Sequence, residues 1–107
     1  MTDRDDNLYE EFREIYGEYW HYALCRLVPF HMQEEMLRYM VRRIKPGNFL
    51  TSVLIHDWDQ AMGRADQINL ANIQNYRSFM YNCMQQNQQG SPEIVAEWLN
   101  GKDKADE

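Results

Sequence analysis

Apolar residues return every three to four positions along most of this chain, the spacing of a helix face, and no stretch alternates as a half-buried strand would. At about 100° per residue, Leu8, Phe12, Ile15, Tyr19 and Tyr22 fall on one stripe, which Tyr9, Tyr16, Ala23 and Leu27 widen to roughly 160° of arc. Glu10, Glu14, Gly17, Glu18 and His21 take the opposite side, so residues 7 to 26 are predicted as one amphipathic helix. Asn7 at its start, with Glu10 three positions on, has the spacing of a capping box.

Pro29 interrupts the pattern, and Met36, Leu37, Met40, Val41 and Ile44 predict a second helix over residues 31 to 45. Pro46-Gly47 stops it, and Arg42, Arg43 and Lys45 complement the carbonyl end of its dipole. A third helix is predicted over 48 to 64 from Leu50, Val53, Leu54, Ala61 and Met62, with Gly63 near its end. A fourth, over 69 to 84, rests on Leu70, Ile73, Met80, Tyr81 and Met84, with Asp66 or Asn69 as its cap. The Gln/Asn-rich stretch 85 to 89 offers nothing apolar to bury and reads as a loop. Ser91-Pro92-Glu93 supplies a cap, a proline at the first helical position and an acid in the first turn. It opens a short helix carrying Ile94, Val95, Trp98 and Leu99, which Gly101 ends. The pattern thus predicts an all-α fold, a compact bundle of four main helices plus a short C-terminal helix. Residues 7 to 101 form its single domain, 1 to 6 a flexible N-terminus and 102 to 107 a disordered tail.

Composition adds a surplus of aromatic surface. Seven Tyr, four Phe and three Trp in 107 residues are more rings than a core this small needs, which points to a protein partner or a homodimer. The net charge of −6 is uneven: residues 1 to 20 hold seven acids against Arg4 and Arg13. Residues 21 to 45 reverse the sign with Arg26, Arg38, Arg42, Arg43 and Lys45 against Glu34 and Glu35, so opposite poles of two copies could meet. Cys25 and Cys83 lack metal or redox spacing and are expected as free buried thiols in a reducing cytoplasm. No segment has the length and apolarity of a membrane span, and the acidic start is unlike a signal peptide, so the expected location is cytoplasmic.

The run Ile44-Lys45-Pro46-Gly47-Asn48-Phe49-Leu50, followed by Val53-Leu54, Asp57, Ala61, Ala65-Asp66 and Asn69, resembles a family of small helical proteins of unknown function encoded by phages, prophages and mobile elements. Phe79-Met80-Tyr81-Asn82 and Gly90-Ser91 fit the same pattern, which spans roughly residues 39 to 99. The chain departs from it at His56, where the pattern has Asn, and over Cys83 to Gln89, where it has a proline-containing turn. The resemblance implies a helical fold and, for a phage-encoded chain, a setting in the host cytoplasm. It implies no activity.

Several constellations invite chemical readings. His56-Asp57 has the order of a metal phosphohydrolase pair, but adjacent residues on a helix diverge by about 100° and no convergent ligands accompany them. Glu18-x-x-His21 has di-iron spacing, yet such sites need two units and two further Glu, and both residues lie on a polar face. His31 reads as an ordinary surface position, and neither cysteine has a base beside it. No glycine-rich phosphate loop occurs, and the reading includes no cofactor, no metal and no catalytic residue. Residues 48 to 84 could be drawn as a helix-turn-helix bearing Asn72, Gln74, Asn75 and Arg77, but residues 46 to 90 sum to −1, which argues against nucleic acid.

The function expected is therefore non-enzymatic protein binding or regulation, on the resemblance directed at a host protein. Tyr9, Tyr16, Tyr19 and Trp20, with Arg38, Arg42 and Arg43, form the candidate interface. A nucleic-acid-associated regulator using the basic end of the second helix is the alternative, and a metal-dependent hydrolase the third. Asp57 and Arg77 project into apolar stripes and are expected to pair across the hairpin, unless Asp57 caps a neighbouring helix.

Overall fold

The computed structural model describes the backbone of residues 7 to 105 and the side chains of residues 7 to 101; the expectation of a flexible 1 to 6 lies outside these. Eight α-helices and no strand occur among the described residues. They are α1 (Leu8–Tyr16), α2 (Glu18–Leu27), α3 (Phe30–Arg42), α4 (Asn48–Leu54), α5 (Trp58–Arg64), α6 (Gln67–Ala71), α7 (Ile73–Cys83) and α8 (Pro92–Ala105). A 3-10 turn, Gln86–Gln88, precedes α8. α1 packs on α2 and α3, α2 on α7, and α4 on α5.

Three of the four long helices expected from periodicity are each interrupted. Residues 7 to 26 break at Gly17, whose φ of 104° and ψ of 167° only glycine adopts without strain. The break rephases the two halves: Leu8, Phe12, Ala23 and Leu24 turn inward, while Ile15, Tyr19 and Tyr22 from the expected apolar stripe stay outside. Asn7 makes no side-chain cap, because its own backbone is helical (φ −90°, ψ −4°) rather than extended.

Residues 48 to 64 break at His56. The His56 N–H bonds to the Val53 carbonyl (3.0 Å) and the Asp57 N–H to the Ser52 carbonyl (2.9 Å), the paired bonds of a Schellman motif. That motif needs a left-handed residue, and His56 takes φ 64°. His, Asn and Asp are the non-glycine residues that most often take this region. Asp57 then caps α5 by accepting from the Gln60 N–H at 3.2 Å.

Residues 69 to 84 break at Asn72, and α7 buries Tyr76, Phe79, Met80 and Cys83 instead of the face drawn from Leu70 and Tyr81. Asp66 caps α6 through the Asn69 N–H (2.7 Å), and Ser91 caps α8 through the Ile94 N–H (3.2 Å). Asn69 is no cap: it is buried and accepts from the Tyr76 hydroxyl at 2.7 Å. α3 ends at Arg43, in the left-handed region at φ 57°, so Ile44 and Lys45 fall outside it. α8 continues through Gly101 to Ala105, past the stop expected there, and the bare Gly101 backbone makes room for Arg43.

The core joins every long element: Phe12 of α1, Leu24 of α2, Met36 and Tyr39 of α3, Leu50 of α4, Phe79 of α7 and Trp98 of α8. Each such large side chain contributes roughly 1.5 to 3 kcal/mol on burial. The Gln-rich connection, expected as a loop, sends one residue into this core while Gln85, Gln86 and Asn87 stay exposed. Gln88 is fully enclosed, its carbonyl accepting from Tyr39 and its amide donating to the Tyr16 hydroxyl at 2.9 Å.

Candidate functional site

Two surfaces stand out, and the first is the outer side of α1 and α2. Of the expected interface residues, Tyr9 and Tyr16 are tied inward. The Tyr9 hydroxyl donates to Gln33 Oε1 (2.8 Å), and the Tyr16 hydroxyl donates to the Met40 carbonyl (2.9 Å). Burial pushes both phenols above their ordinary pKa. Trp20 is half-buried and stacks on Tyr16, with centroids 5.0 Å apart and planes within 8°. Tyr19 is free of such ties and 63% exposed, beside Ile15 and Tyr22 at 60% each. Ile15 of α1 and Tyr19 and Tyr22 of α2 are thus the large apolar side chains these two helices leave exposed, with Glu14 and Glu18 exposed next to them in sequence.

The basic cluster is largely engaged within the chain. Arg42 donates to both oxygens of Glu11 (2.6 and 3.3 Å), Arg38 pairs with Glu34 (3.2 Å), and Arg43 lies 3.6 Å over the Trp98 ring while donating to the Trp98 carbonyl. The opposite poles read from the sequence meet here across α1 and α3 of one molecule, because these helices pack side by side.

The second surface is a cleft of about 930 Å³ bordered by α5, α7, the 3-10 turn and α8. One face of α7 lines it with Gln74, Arg77, Ser78 and Tyr81, spaced i, i+3, i+4 and i+7. Across from them the His56 ring stacks on Trp58 (5.7 Å, 27°), and Arg77 lies 5.4 Å over the same Trp58 ring. His56 Nε2 meets Gln89 Oε1 at 2.7 Å, and Gln89 Nε2 donates to the Met80 carbonyl. Buried Met80 and Met84 form the base.

The expected Asp57–Arg77 ion pair does not form. Asp57 caps α5, and Arg77 is exposed over Trp58, because the breaks at His56 and Asn72 remove the continuous hairpin that would have aligned them. The candidate metal pairs do not converge either. His21 lies edge-on to Tyr9, Glu18 reaches Arg13 at 3.8 Å, and no group of three His, Cys, Asp or Glu able to hold a metal occurs among the described residues. His31 does have a partner that periodicity did not foresee, Asp66 at 3.1 Å. Cys83 is buried and its thiol pushed up to about 11, while Cys25, expected buried, is exposed at the end of α2.

Periodicity does not reveal the cleft, because it draws Arg77 and Tyr81 on an inward stripe that the break at Asn72 turns outward. A clue lay in the Asn and Gln density from Asn72 to Gln89, more amides than one solvated loop requires. Compared with protein-family models, with curated proteins and with solved structures, the chain has no match.

Proposed function

We propose that this chain, as a bundle of four helical arms with a C-terminal helix, is a non-enzymatic protein-binding or regulatory protein that meets its partner on the outer face of α1 and α2. The observation that carries the reading is the exposure of Ile15, Tyr19 and Tyr22, three large apolar side chains on these two helices, each about three-fifths exposed. Tyr is favoured at contacts because its ring buries large area at low entropic cost while its hydroxyl still finds a partner. The exposed acids Glu14 and Glu18 select an apolar surface bordered by Lys or Arg. On the resemblance to phage and prophage proteins, that partner is a host protein in the cytoplasm; no helix among the described residues is long and apolar enough to cross a membrane. The nucleic-acid alternative is weakened by the internal engagement of Arg42 and Arg43.

The test is affinity capture from cells that encode the chain, with wild type, Tyr19→Glu/Tyr22→Glu and the control Met62→Glu on another exposed site. A protein held by wild type and control and released by the double variant, at unchanged thermal stability, is the expected result. Equal capture by all three overturns the assignment. Sedimentation of the purified chain reads the other occupant, a second copy.

A further inference from the structure

We infer that the cleft between α5, α7 and the Gln86–Gln88 turn is a second binding site, and that it takes an extended peptide segment carrying one carboxylate beside an aromatic or aliphatic side chain. Arg77 is the one side chain of fixed charge in its lining, and no carboxylate lies within ion-pair distance of it among the described residues. Its guanidinium sits over Trp58, which is itself stacked on His56, and His56 is held by Gln89. A planar fork oriented this way matches a carboxylate through two parallel hydrogen bonds.

The rest of the cleft selects among carriers of that group. Gln74 and Gln86 make no side-chain hydrogen bond within the described residues, so their amides offer donors and acceptors to a peptide backbone. Tyr81 is 88% exposed and supplies an uncovered ring beside the Met80 and Met84 base. At about 930 Å³ the cleft lies toward the upper end of ligand sites and exceeds what one small anion fills. A nucleic acid would meet a single cation on a protein of net charge −6, with too few contacts to release its counterions. One cation, spare amides and an open ring together match a peptide with one acid.

The experiment is a titration of the isotope-labelled full chain, followed by NMR at the Trp58 indole N–H and the Arg77 Nε–H. The probes are a pool of capped short peptides with Asp or Glu next to Tyr, Phe or Leu, the matched pool with Asn or Gln, inorganic phosphate, and oligothymidylate. The acidic pool should shift both signals, and the neutral pool and Arg77→Gln should each bind about tenfold more weakly. Tyr19→Glu/Tyr22→Glu should bind unchanged, which separates this site from the α1 and α2 face. Tyr81→Ala gives an independent arm at a largely exposed position and should also weaken binding. Absence of shifts at millimolar acidic pool, equal binding of the neutral pool, or tighter binding of phosphate or oligothymidylate would overturn the inference.

Discussion

Tyr39 and Gln88 stand 49 positions apart and share a 2.7 Å hydrogen bond from the phenolic hydroxyl to the backbone carbonyl, with both residues fully enclosed. The Trp98 indole donates to the Tyr39 carbonyl at 2.8 Å, so α3, the 3-10 turn and α8 close on one residue. Tyr39→Phe keeps the ring and leaves the Gln88 carbonyl without this donor. The expected loss is about 1 to 3 kcal/mol, the cost of an unsatisfied buried acceptor, read from urea unfolding. An unchanged midpoint would mean that another donor takes the place of the hydroxyl.

Arg43 and Gly101 make a second such contact. A Cβ at Gly101 would collide with Arg43 Nη1, the far end of a flexible side chain. Gly101→Ala therefore displaces the guanidinium from Trp98, offsetting the roughly 0.5 to 1 kcal/mol that alanine gains over glycine inside a helix. With Arg43→Gly already in place, which also suits the left-handed backbone there, Gly101→Ala should stabilise by about 0.5 to 1 kcal/mol. A double-mutant cycle by thermal unfolding checks this difference between the two backgrounds, and equal effects in both would refute the contact.

Asp66 ties pH to stability. Its carboxylate accepts from the Asn69 N–H and meets His31, and chiefly the backbone bond holds its pKa below the ordinary 3.8. A folded pKa below the unfolded one contributes stability that is present above 3.8 and lost as pH falls through the folded value. Asp66→Asn should thus be less stable than wild type at neutral pH, with the gap closing below 3.8. Parallel denaturation series across acid pH measure it, and a constant gap would exclude ionisation as its source.

His56 tests the Schellman turn between α4 and α5. At φ 64°, Asn should replace it with little cost, whereas the β-branched His56→Val should lose about 1 to 2 kcal/mol to backbone strain. Chemical denaturation of the two variants distinguishes strain from loss of the Gln89 contact, which both remove.

Helical class and two of the caps were legible in the chain because their causes are local. The 3.6-residue period marks a helix wherever it runs, and Asp66 and Ser91 each reach an N–H three positions ahead. The apolar series of Met36, Leu37 and Met40 placed α3 for the same reason, in an uninterrupted stretch where the wheel keeps its phase.

The interruptions were not legible in periodicity, although a residue suited to each was visible. Gly17, His56 and Asn72 each stand where one helix ends and the next begins, and which direction the chain takes there is set by packing against residues far along the chain. Each break also resets the phase, which is why Tyr81 lies outside and Tyr76 within, and why Asp57 and Arg77 serve different partners.

By itself the sequence determined that this protein is helical, where α3 lies, that Ser91 caps α8 and that Asp66 or Asn69 stands at the cap of the helix after Ala65, since i to i+3 and i to i+4 neighbours suffice for these. Tertiary structure alone decided that Gln88 of the Gln-rich connection is core, that Arg42 and Arg43 are engaged within the chain and that Arg77 faces a cleft. A polar side chain's environment depends on whether a partner dozens of positions away reaches it, as Tyr39 reaches Gln88, and no local pattern carries that distance.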